Sequence, residues 1–320
     1  MLSRFPYSPP RLTSPPATAR VSSSLPDPFD AVVFAGGGCR CFWQAGFWST
    51  AHPLLGLRPK VVAGTSAGAA FACAAVTDRT LAVLADFKRR AAANERNFYL
   101  ENRFAGSRVF PHEEIYRGAI LASLHAAAFE RLQAGPDLRV LIARPPRWLG
   151  PRTGLSAAVV AHLLDRRASR VHPRWGRRFG FRQEVITAQS CESVEELADL
   201  ILQASCVPPI VPLYRRGESI VLDGGLIDNA PADIVGPAQS VLVLLSKRFP
   251  DHRMPRIQGR TYVGPSREIP ILQWDYTSPE LIQQTFDLGR RDGESFARET
   301  GRVSMLRTRR AAKLERSLVN

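Results

Sequence analysis

The residues with the clearest chemical meaning are Gly-Thr-Ser-Ala-Gly at positions 64–68. A strand-like run precedes them and an alanine-rich run follows, which predicts a strand, a tight turn and a helix. In such a turn Ser66 projects its hydroxyl from the sheet edge near the positive end of the helix, while Gly64 and Gly68 let the helix and the strand pass closely. This arrangement is typical of a nucleophile elbow, and its chemistry is acyl transfer through a serine ester.

A glycine triplet upstream supplies the second requirement of acyl transfer, a set of N–H donors. The run Gly-Gly-Gly-Cys-Arg at positions 36–40 lies between a strand-like run at 31–35 and a helix-like run at 42–51. Successive glycines allow backbone N–H groups to converge on an anion, and a helix that begins just behind them adds positive potential. We therefore expect this loop to stabilise an oxyanion. The candidate oxyanion loop comprises Gly36, Gly37, Gly38, Cys39 and Arg40.

A nucleotide-phosphate loop is the alternative interpretation of this triplet. The dinucleotide-binding fingerprint would need a glycine where the chain has Cys41, and an acidic residue about 20 positions further on in a second strand. The Walker pattern would need a Gly-Lys-Ser/Thr sequence after the glycines, and none follows. Because both patterns fail, the sequence favours acyl transfer over nucleotide binding.

A third motif places a carboxylate at the end of a strand-like run. Residues 219–222 are β-like and lead into Asp223, Gly224 and Gly225. An aspartate before glycine is, taken alone, a common turn residue. Together with a serine elbow and an oxyanion loop, Asp223 becomes a candidate base for the serine hydroxyl.

These three motifs, in this order, resemble those of the patatin-like phospholipases, which carry G-G-G-x-R-G, G-x-S-x-G and D-G-G or D-G-A. Two weaker blocks also resemble that family, residues 203–209 its A-S-x-x-x-P segment and residues 226–231 its N-x-P segment. The resemblance covers about residues 30–245. The chain departs from the pattern at Cys41, which replaces the glycine that closes the oxyanion loop. We expect Cys41 to have an ordinary helical backbone and a packed side chain.

The resemblance implies a Ser66–Asp223 dyad in place of a triad, and hydrolysis of fatty-acyl lipid esters as the activity. We expect no cofactor and no metal, because the six histidines show no ligand spacing. His252 is the only histidine after Asp223, so it is the candidate for a rival serine–acid–histidine triad. It lies in a polar, proline-flanked stretch, where a solvated side chain is expected.

The expected fold class is α/β, a patatin-like three-layer α/β/α arrangement with a mainly parallel central sheet, because strand-like and helical runs alternate. At 320 residues and 45% hydrophobic composition, the chain can bury the core of one such domain. We assign that domain to residues 29–320, with its core at about 30–245. Residues 1–28, rich in proline, serine and threonine, are expected to form a disordered leader, and the alternatives are a transit-like segment or a wrongly assigned start codon. The runs lie at 30–35, 42–51, 60–63, 67–76, 79–100, 138–143, 157–165, 184–188, 193–204, 219–222 and 241–245.

Basic residues are concentrated in two segments, and the net charge is +14. Between residues 144 and 182 arginines greatly outnumber acids, with Trp148, Trp175 and Phe179 among them, and a basic C-terminal extension covers residues 302–316. A solvated basic face is the simplest interpretation. Basic and aromatic residues together also suit an anionic lipid surface or a nucleic-acid backbone. Because the chain carries a lipase-like site, we expect a peripheral anionic membrane surface as partner and not nucleic acid, with the 144–182 insertion near the substrate entrance.

Two further expectations concern location and activity. The chain shows neither a signal-peptide core nor a membrane-spanning stretch, and its five cysteines, an odd number, favour reduced thiols, so we expect a cytoplasmic protein. The alternative function is a basic membrane- or nucleic-acid-binding protein that kept the hydrolase fold and lost turnover, with Cys41 as its visible change. The sequence indicates neither the oligomeric state nor the class of lipid.

Overall fold

The computed structural model describes residues 29–318, except residues 105, 147, 149, 151–152, 155, 161–169 and 174, with side chains up to residue 301. The predicted leader, residues 1–28, lies outside the described residues. The strands are β1 (Ala31–Phe34), β2 (Val61–Thr65), β3 (Asp137–Arg144), β4 (Arg182–Thr187), β5 (Tyr214–Arg216), β6 (Ser219–Asp223), β7 (Val241–Leu244) and β8 (Arg260–Val263). The helices are α1 (Phe42–Leu55), α2 (Ala67–Val76), α3 (Thr80–Ala92), α4 (His112–Ser123), α5 (Ala126–Gln133), α6 (Trp175–Arg178), α7 (Val194–Ala204) and α8 (Pro279–Leu318).

The strands form one eight-stranded sheet. Its hydrogen-bonded neighbours follow the order β5-β6-β3-β2-β1-β7-β8, and β4 also pairs with β3. Strands β3, β2, β1, β7 and β8 run parallel to one another, whereas β4 and β6 run antiparallel to β3. Helix α1 connects β1 to β2, and helices α2 to α5 connect β2 to β3, as crossovers between parallel strands require. The predicted α/β fold with a mainly parallel central sheet is confirmed.

Alternate residues of the central strand β1 face two separate hydrophobic cores. Val32 and Phe34 pack with helices α1 to α4 on one face, whereas Ala31 and Val33 pack with residues 226–235 on the other. All four side chains are fully buried because both faces of the sheet are covered. Burial on both faces explains why β1 is a continuous apolar run and not an alternating one.

Two strands that arrive from opposite directions end side by side along β3. β2 runs parallel to β3, and its last residue, Thr65, pairs with Leu141. β6 runs antiparallel to β3, and its last residue, Asp223, pairs with Ile142. Because β4 occupies the other side of β3 along residues 139–144, β2 and β6 must share this side, and their C-terminal ends meet. We call the end of the sheet at which β2 and β6 finish the carboxyl edge, meaning the C-terminal ends of these strands and not an outer strand.

The structure departs from the sequence predictions mainly in the elements that flank the sheet. The helix predicted over residues 79–100 ends at Ala92 and is followed by an irregular loop. Most of the helix-like run predicted at 157–165 lies outside the described residues. Helices α4, α5, α6 and α8 and strands β5 and β8 were not predicted. These elements are polar or half-exposed, or as short as three residues, so their hydrophobic patterns are weak.

Helix α8 extends the first core beyond residue 245. Its residues Ile282 and Phe286 are buried with α1. The two helices approach closely at glycines: a Cβ atom on Gly46 would lie 2.0 Å from the carbonyl oxygen of Phe286, and one on Gly289 would lie 2.0 Å from that of Trp43. The long C-terminal helix is therefore part of the packed domain over the residues whose side chains are described.

Candidate active site

Ser66 lies at the turn between β2 and α2 in a strained backbone conformation. Its φ and ψ angles are 53° and −141°, in a positive-φ region that residues other than glycine rarely adopt. The turn is held on both sides, since the Ser66 N–H donates to the carbonyl of Ala204 (3.2 Å) and the Ser66 carbonyl accepts from the N–H of Ala69 (2.9 Å). Ser66 is 4% exposed and precedes the first turn of α2, where the helix dipole favours negative charge.

Gly64 and Gly68 are required by close packing around this turn. A Cβ atom on Gly64 would lie 2.8 Å from the backbone nitrogen of Ala69, and one on Gly68 would lie 2.3 Å from the carbonyl oxygen of Phe34. These neighbours are main-chain atoms, which cannot swing aside as a flexible side chain does. The two glycines of the elbow therefore allow α2 to begin directly against β1 and β2.

Gly68→Ala is expected to destabilise the fold by at least about 3 kcal/mol, because the new Cβ would collide with the main chain of β1. The urea denaturation midpoint measures this change. Gly301→Ala is the matched control: Gly301 also lies in a helix, and outside its own turns no atom lies within 4 Å of its Cβ position. The control should leave stability unchanged or raise it by up to about 1 kcal/mol. Equal midpoints for the two variants would contradict the packing argument.

Asp223 reaches the same point from the end of β6. Its Oδ1 accepts the N–H of Gly225 at 2.7 Å, and Asp223 lines the same cavity as Ser66. Burial raises the pKa of Asp223 from its usual 3.8 to about 6, and the donors Ser66 and Gly225 oppose part of that rise. A carboxylate with a raised pKa is a stronger base at neutral pH than an ordinary aspartate.

Gly224 allows the end of β6 to approach β2 and β3. A Cβ atom at this position would lie 2.1 Å from the carbonyl oxygen of Leu141 and 2.3 Å from Oγ1 of Thr65. The Thr65 hydroxyl itself donates to the Leu141 carbonyl at 3.2 Å. The first glycine of the Asp-Gly-Gly motif therefore makes room for the meeting of the two strand ends.

The candidate oxyanion loop begins beside Ser66, since a Cβ atom on Gly36 would lie 3.1 Å from that of the serine. Asn229 fixes this first glycine in two ways. Its main-chain carbonyl accepts the N–H of Gly36 at 2.9 Å, and its side-chain Nδ2 donates to the Gly36 carbonyl at 3.0 Å. Ser246 donates its hydroxyl to the same carbonyl at 2.5 Å. The N-x-P block of the sequence thus contains a positioning residue for the loop, a contact that the motif alone does not indicate.

Only part of the predicted donor set is open in this conformation. The N–H of Cys39 donates to the main-chain carbonyl of Gln273 at 3.0 Å. Among the described residues, no acceptor is found for the N–H groups of Gly37 and Gly38. Gly38 has a φ of 58°, which glycine adopts without strain. Of the expected donors, Gly37 and Gly38 are therefore available to an oxyanion, whereas Cys39 is already engaged.

The side chains of Arg40 and Cys41 contact main-chain carbonyl groups in and next to the loop. The Arg40 guanidinium donates to the carbonyl of Gly37 at 3.3 Å and to the side-chain oxygen of Gln273 at 3.1 Å. Cys41 has φ and ψ angles of −70° and −9°, is fully buried, and places its Sγ 3.4 Å from the carbonyl oxygen of Ala35. The expected helical backbone and packed side chain of Cys41 are confirmed. Burial raises the pKa of its thiol far above the usual value, so the thiol stays neutral.

The three motifs open into one cavity of about 180 Å³. Ser66, Asp223 and Asn229 contribute polar atoms at one place, and most of the remaining wall is apolar. Such a cavity suits a ligand with a hydrocarbon body and one reactive carbonyl. The other lining residues are Gly37, Ala158, Val159, Cys206, Val207, Pro208, Leu222, Gly225, Leu226, Gln273 and Trp274.

His252 is not brought to this cavity. It lies in an exposed turn, Asp251–Arg253, and does not line the cavity.

A different histidine makes ordered contacts: His172 places Nδ1 2.9 Å from Oδ1 of Asp228 and Nε2 2.9 Å from the hydroxyl of Tyr262. These three residues are far apart in the sequence, so no motif indicates their contact. The contact attaches the 144–182 insertion to β8.

Two arginines of the arginine-rich segment contact neighbouring side chains. Arg144 forms an ion pair with Glu184 of β4, and Arg178 stacks over the ring of Trp175. Ala158 and Val159 belong to the same segment and line the cavity. In the part of the chain that the structure covers, no helix combines the length and the apolar character needed to cross a membrane.

A comparison with protein families identifies the family to which the chain belongs. Residues 32–235, which include all three motifs, match the family described as patatin-like phospholipase (Patatin). The match spans more than half of the chain, and the chain belongs to the patatin-like phospholipase family, as the order of the motifs predicted. No curated protein matches the chain significantly. Among solved structures it is similar to VipD from Legionella pneumophila, with 11% identity and a TM-score of 0.41 over 85% of this chain and 67% of that chain.

Proposed function

We propose that the protein hydrolyses fatty-acyl esters of lipids, with Ser66 as the nucleophile and Asp223 as the base. The observation that carries this proposal is a strained, buried serine beside a carboxyl group whose pKa is raised to about 6. The N–H groups of Gly37 and Gly38 supply donors for an oxyanion. Membership of the patatin-like phospholipase family supports lipid acyl hydrolysis as the class of activity.

In the acylation half, the Asp223 carboxylate removes the hydroxyl proton of Ser66 while Oγ forms a bond to the ester carbonyl carbon. The carbonyl oxygen becomes an oxyanion that the N–H groups of Gly37 and Gly38 stabilise, and one such donor typically contributes about 3 kcal/mol. The intermediate collapses when the bond from the carbonyl carbon to the alcohol oxygen breaks. Asp223 returns its proton to that oxygen, and the acyl group remains on Ser66.

In the deacylation half, water enters the position that the alcohol has left. Asp223 accepts a proton from the water as its oxygen adds to the acyl carbonyl carbon, and the same donors stabilise the second oxyanion. The bond to Ser66 then breaks, the serine oxygen takes the proton back from Asp223, and the fatty acid leaves. The apolar wall of the cavity supports a hydrocarbon chain as the acyl part.

A fluorophosphonate probe tests the proposal, because it modifies a serine that is activated as a nucleophile. We expect labelling of the wild-type protein at Ser66, located by mass spectrometry, and none in Ser66→Ala. A panel of lipids with different head groups then identifies the substrate by the fatty acid released. A folded wild-type protein that stays unlabelled and releases no fatty acid would support the alternative, a basic binding protein without turnover.

The pH dependence of hydrolysis should follow the ionisation of Asp223. Only the carboxylate accepts a proton, so kcat/KM should rise with pH, pass its midpoint near pH 6 and level off above it. A histidine titrates in the same range, so the profile is also measured in His252→Ala. We expect that variant to keep the transition and to lose no more than about fivefold in kcat/KM. Loss of the transition in His252→Ala would favour a triad.

The proposed substrate also bears on the partner of the protein. A lipid ester is presented at a membrane surface, and the net charge of +14 suits an anionic one. We therefore propose peripheral contact with anionic membranes as part of the function.

A further inference from the structure

Several of the large hydrophobic side chains that are exposed in the described part of the chain belong to segments that line the cavity or a groove next to it. One of them, Phe104, is 87% exposed. Exposed apolar side chains that are grouped around one opening mark a contact surface, whereas single ones are ordinary. Phe98 and Leu100 line the groove, and Phe104, Leu213 and Leu272 are each next in sequence to a residue that lines the groove or the cavity.

The chain path delivers the loop at residues 96–104 to the carboxyl edge of the sheet. Helix α2 begins at the carboxyl edge and runs away from it, and α3 follows after a short turn and returns. Two hydrogen bonds then join the chain around the start of the loop to Tyr276: Asn94 Nδ2 donates to the carbonyl of Tyr276 at 3.0 Å, and the Tyr276 N–H donates to Asn97 Oδ1 at 2.8 Å. Tyr276 lies two residues from Trp274, which lines the cavity.

The loop shares a groove of about 400 Å³ with the segment that follows α7. Phe98 and Leu100 contribute to one side of this groove, and Pro209 and Ile210 contribute to the other. Pro208, the residue before Pro209, lines the catalytic cavity. The groove and the cavity are therefore neighbours, separated by one segment of chain.

Basic side chains accompany these hydrophobic residues. Arg103 is exposed and lines the groove, and among the described residues it has no acidic partner. Arg108 also lines the groove, although it pairs with Glu113. Apolar side chains flanked by arginines suit an anionic bilayer, because the apolar groups reach the acyl chains while the guanidinium groups stay among the phosphates.

We propose that residues 96–104 form a membrane-docking loop, which inserts Phe98, Leu100 and Phe104 into an anionic phospholipid bilayer beside the mouth of the cavity. The inference rests on the proposed function for the reason to approach a bilayer, but docking itself needs no turnover. Docking through this loop is distinct from adsorption through the arginines of residues 144–182. Apolar insertion persists in salt, whereas adsorption by charge alone is screened.

The test measures co-sedimentation of the full chain with vesicles in the Ser66→Ala background, which removes turnover. The vesicles contain phosphatidylcholine with phosphatidylserine, or phosphatidylcholine alone. Leu100→Ser with Phe104→Ser is compared with a control pair, Leu54→Ser with Leu81→Ser, whose side chains are 59% and 63% exposed but lie towards the opposite end of the sheet. On vesicles of phosphatidylcholine with phosphatidylserine (mixed vesicles), the pair Leu100→Ser with Phe104→Ser (the loop pair) should lower the partition coefficient at least about tenfold. The control pair should lower it less than about twofold.

Arg103→Gln should weaken binding to the mixed vesicles more than binding to phosphatidylcholine alone. The proposal is overturned if Leu100→Ser with Phe104→Ser binds vesicles as tightly as the Ser66→Ala protein, or if this pair and the control pair lose the same amount of vesicle binding. It is also overturned if the Ser66→Ala protein binds neither kind of vesicle. It is also overturned if high salt removes all binding while the loop pair has no effect, which would assign docking to the arginines of residues 144–182. Hydrolysis is assayed separately with Ser66 present, so that an inactive protein that still docks through the loop would refute the proposed function alone.

Discussion

Ser66→Ala should lower kcat for ester hydrolysis by about 10,000-fold or more, because it removes the oxygen that we propose as the nucleophile. A loss of that size corresponds to about 5 kcal/mol of transition-state stabilisation. The rate of fatty-acid release from a lipid ester measures this loss, and single-turnover assays are used where the variant is too slow for steady-state kinetics. Ser49→Ala is the matched control, since the Ser49 hydroxyl donates only to the carbonyl of Gly46 within α1. The control should retain wild-type activity within about twofold.

Ser66→Gly separates the chemistry of the hydroxyl from the strain of the turn. It removes the same hydroxyl and also relieves the positive φ of 53°, which alanine would retain. We expect Ser66→Gly to be as inactive as Ser66→Ala and more stable than it by about 1 kcal/mol in thermal unfolding. Turnover by either variant within about 100-fold of the wild-type rate would remove Ser66 from the role of nucleophile.

The parts of the candidate site that sequence reasoning predicted are those whose requirements are local. A serine between two glycines at a strand–helix turn is a local steric requirement, and the structure shows the reason, since Gly68 lies against the main chain of β1. The helical backbone of Cys41 was also predictable from its position at the start of α1. The parallel order of the sheet followed from the alternation of apolar runs. Each of these inferences needed only a short stretch of chain.

The parts that sequence reasoning missed depend on contacts between distant segments. Gln273 and Trp274 lie outside every motif, and only the return of the chain after β8 brings them to the cavity. The same return lets the Gln273 carbonyl take the N–H of Cys39, so that the donor set is smaller than the glycine triplet suggests. The contact of His172 with Asp228 likewise joins an insertion to a distant loop. No pattern of residue types within one segment encodes such pairings.

Asp223→Asn should abolish hydrolysis, by about 10,000-fold, and at the same time raise the stability of the protein near pH 8. The loss of activity follows because the amide cannot accept the proton of Ser66. The gain in stability follows from the pKa of Asp223, which burial raises from 3.8 to about 6. A carboxyl group that is harder to ionise in the folded state than in the unfolded state destabilises the fold once it is charged, here by about 3 kcal/mol. The neutral amide avoids that penalty and can still accept the N–H of Gly225 through its carbonyl oxygen.

The sign of this effect fixes its pH window. Below about pH 3 the carboxyl is largely protonated in both states, so Asp223→Asn and the wild type should have similar free energies of unfolding. As the pH rises from 4 through 6 the wild type loses stability relative to the variant, and above about pH 7 the difference should be constant. Asp233→Asn is the control of opposite sign, because the Arg260 guanidinium lowers the pKa of that largely exposed carboxyl. It should destabilise the protein near pH 8 by less than about 1 kcal/mol and leave hydrolysis intact. Urea unfolding of the three proteins at pH values from 3 to 8 measures these differences. If Asp223→Asn is less stable than the wild type at pH 8, the Asp223 carboxylate stabilises the fold. That result would remove the physical basis for the role of Asp223 as a strengthened base.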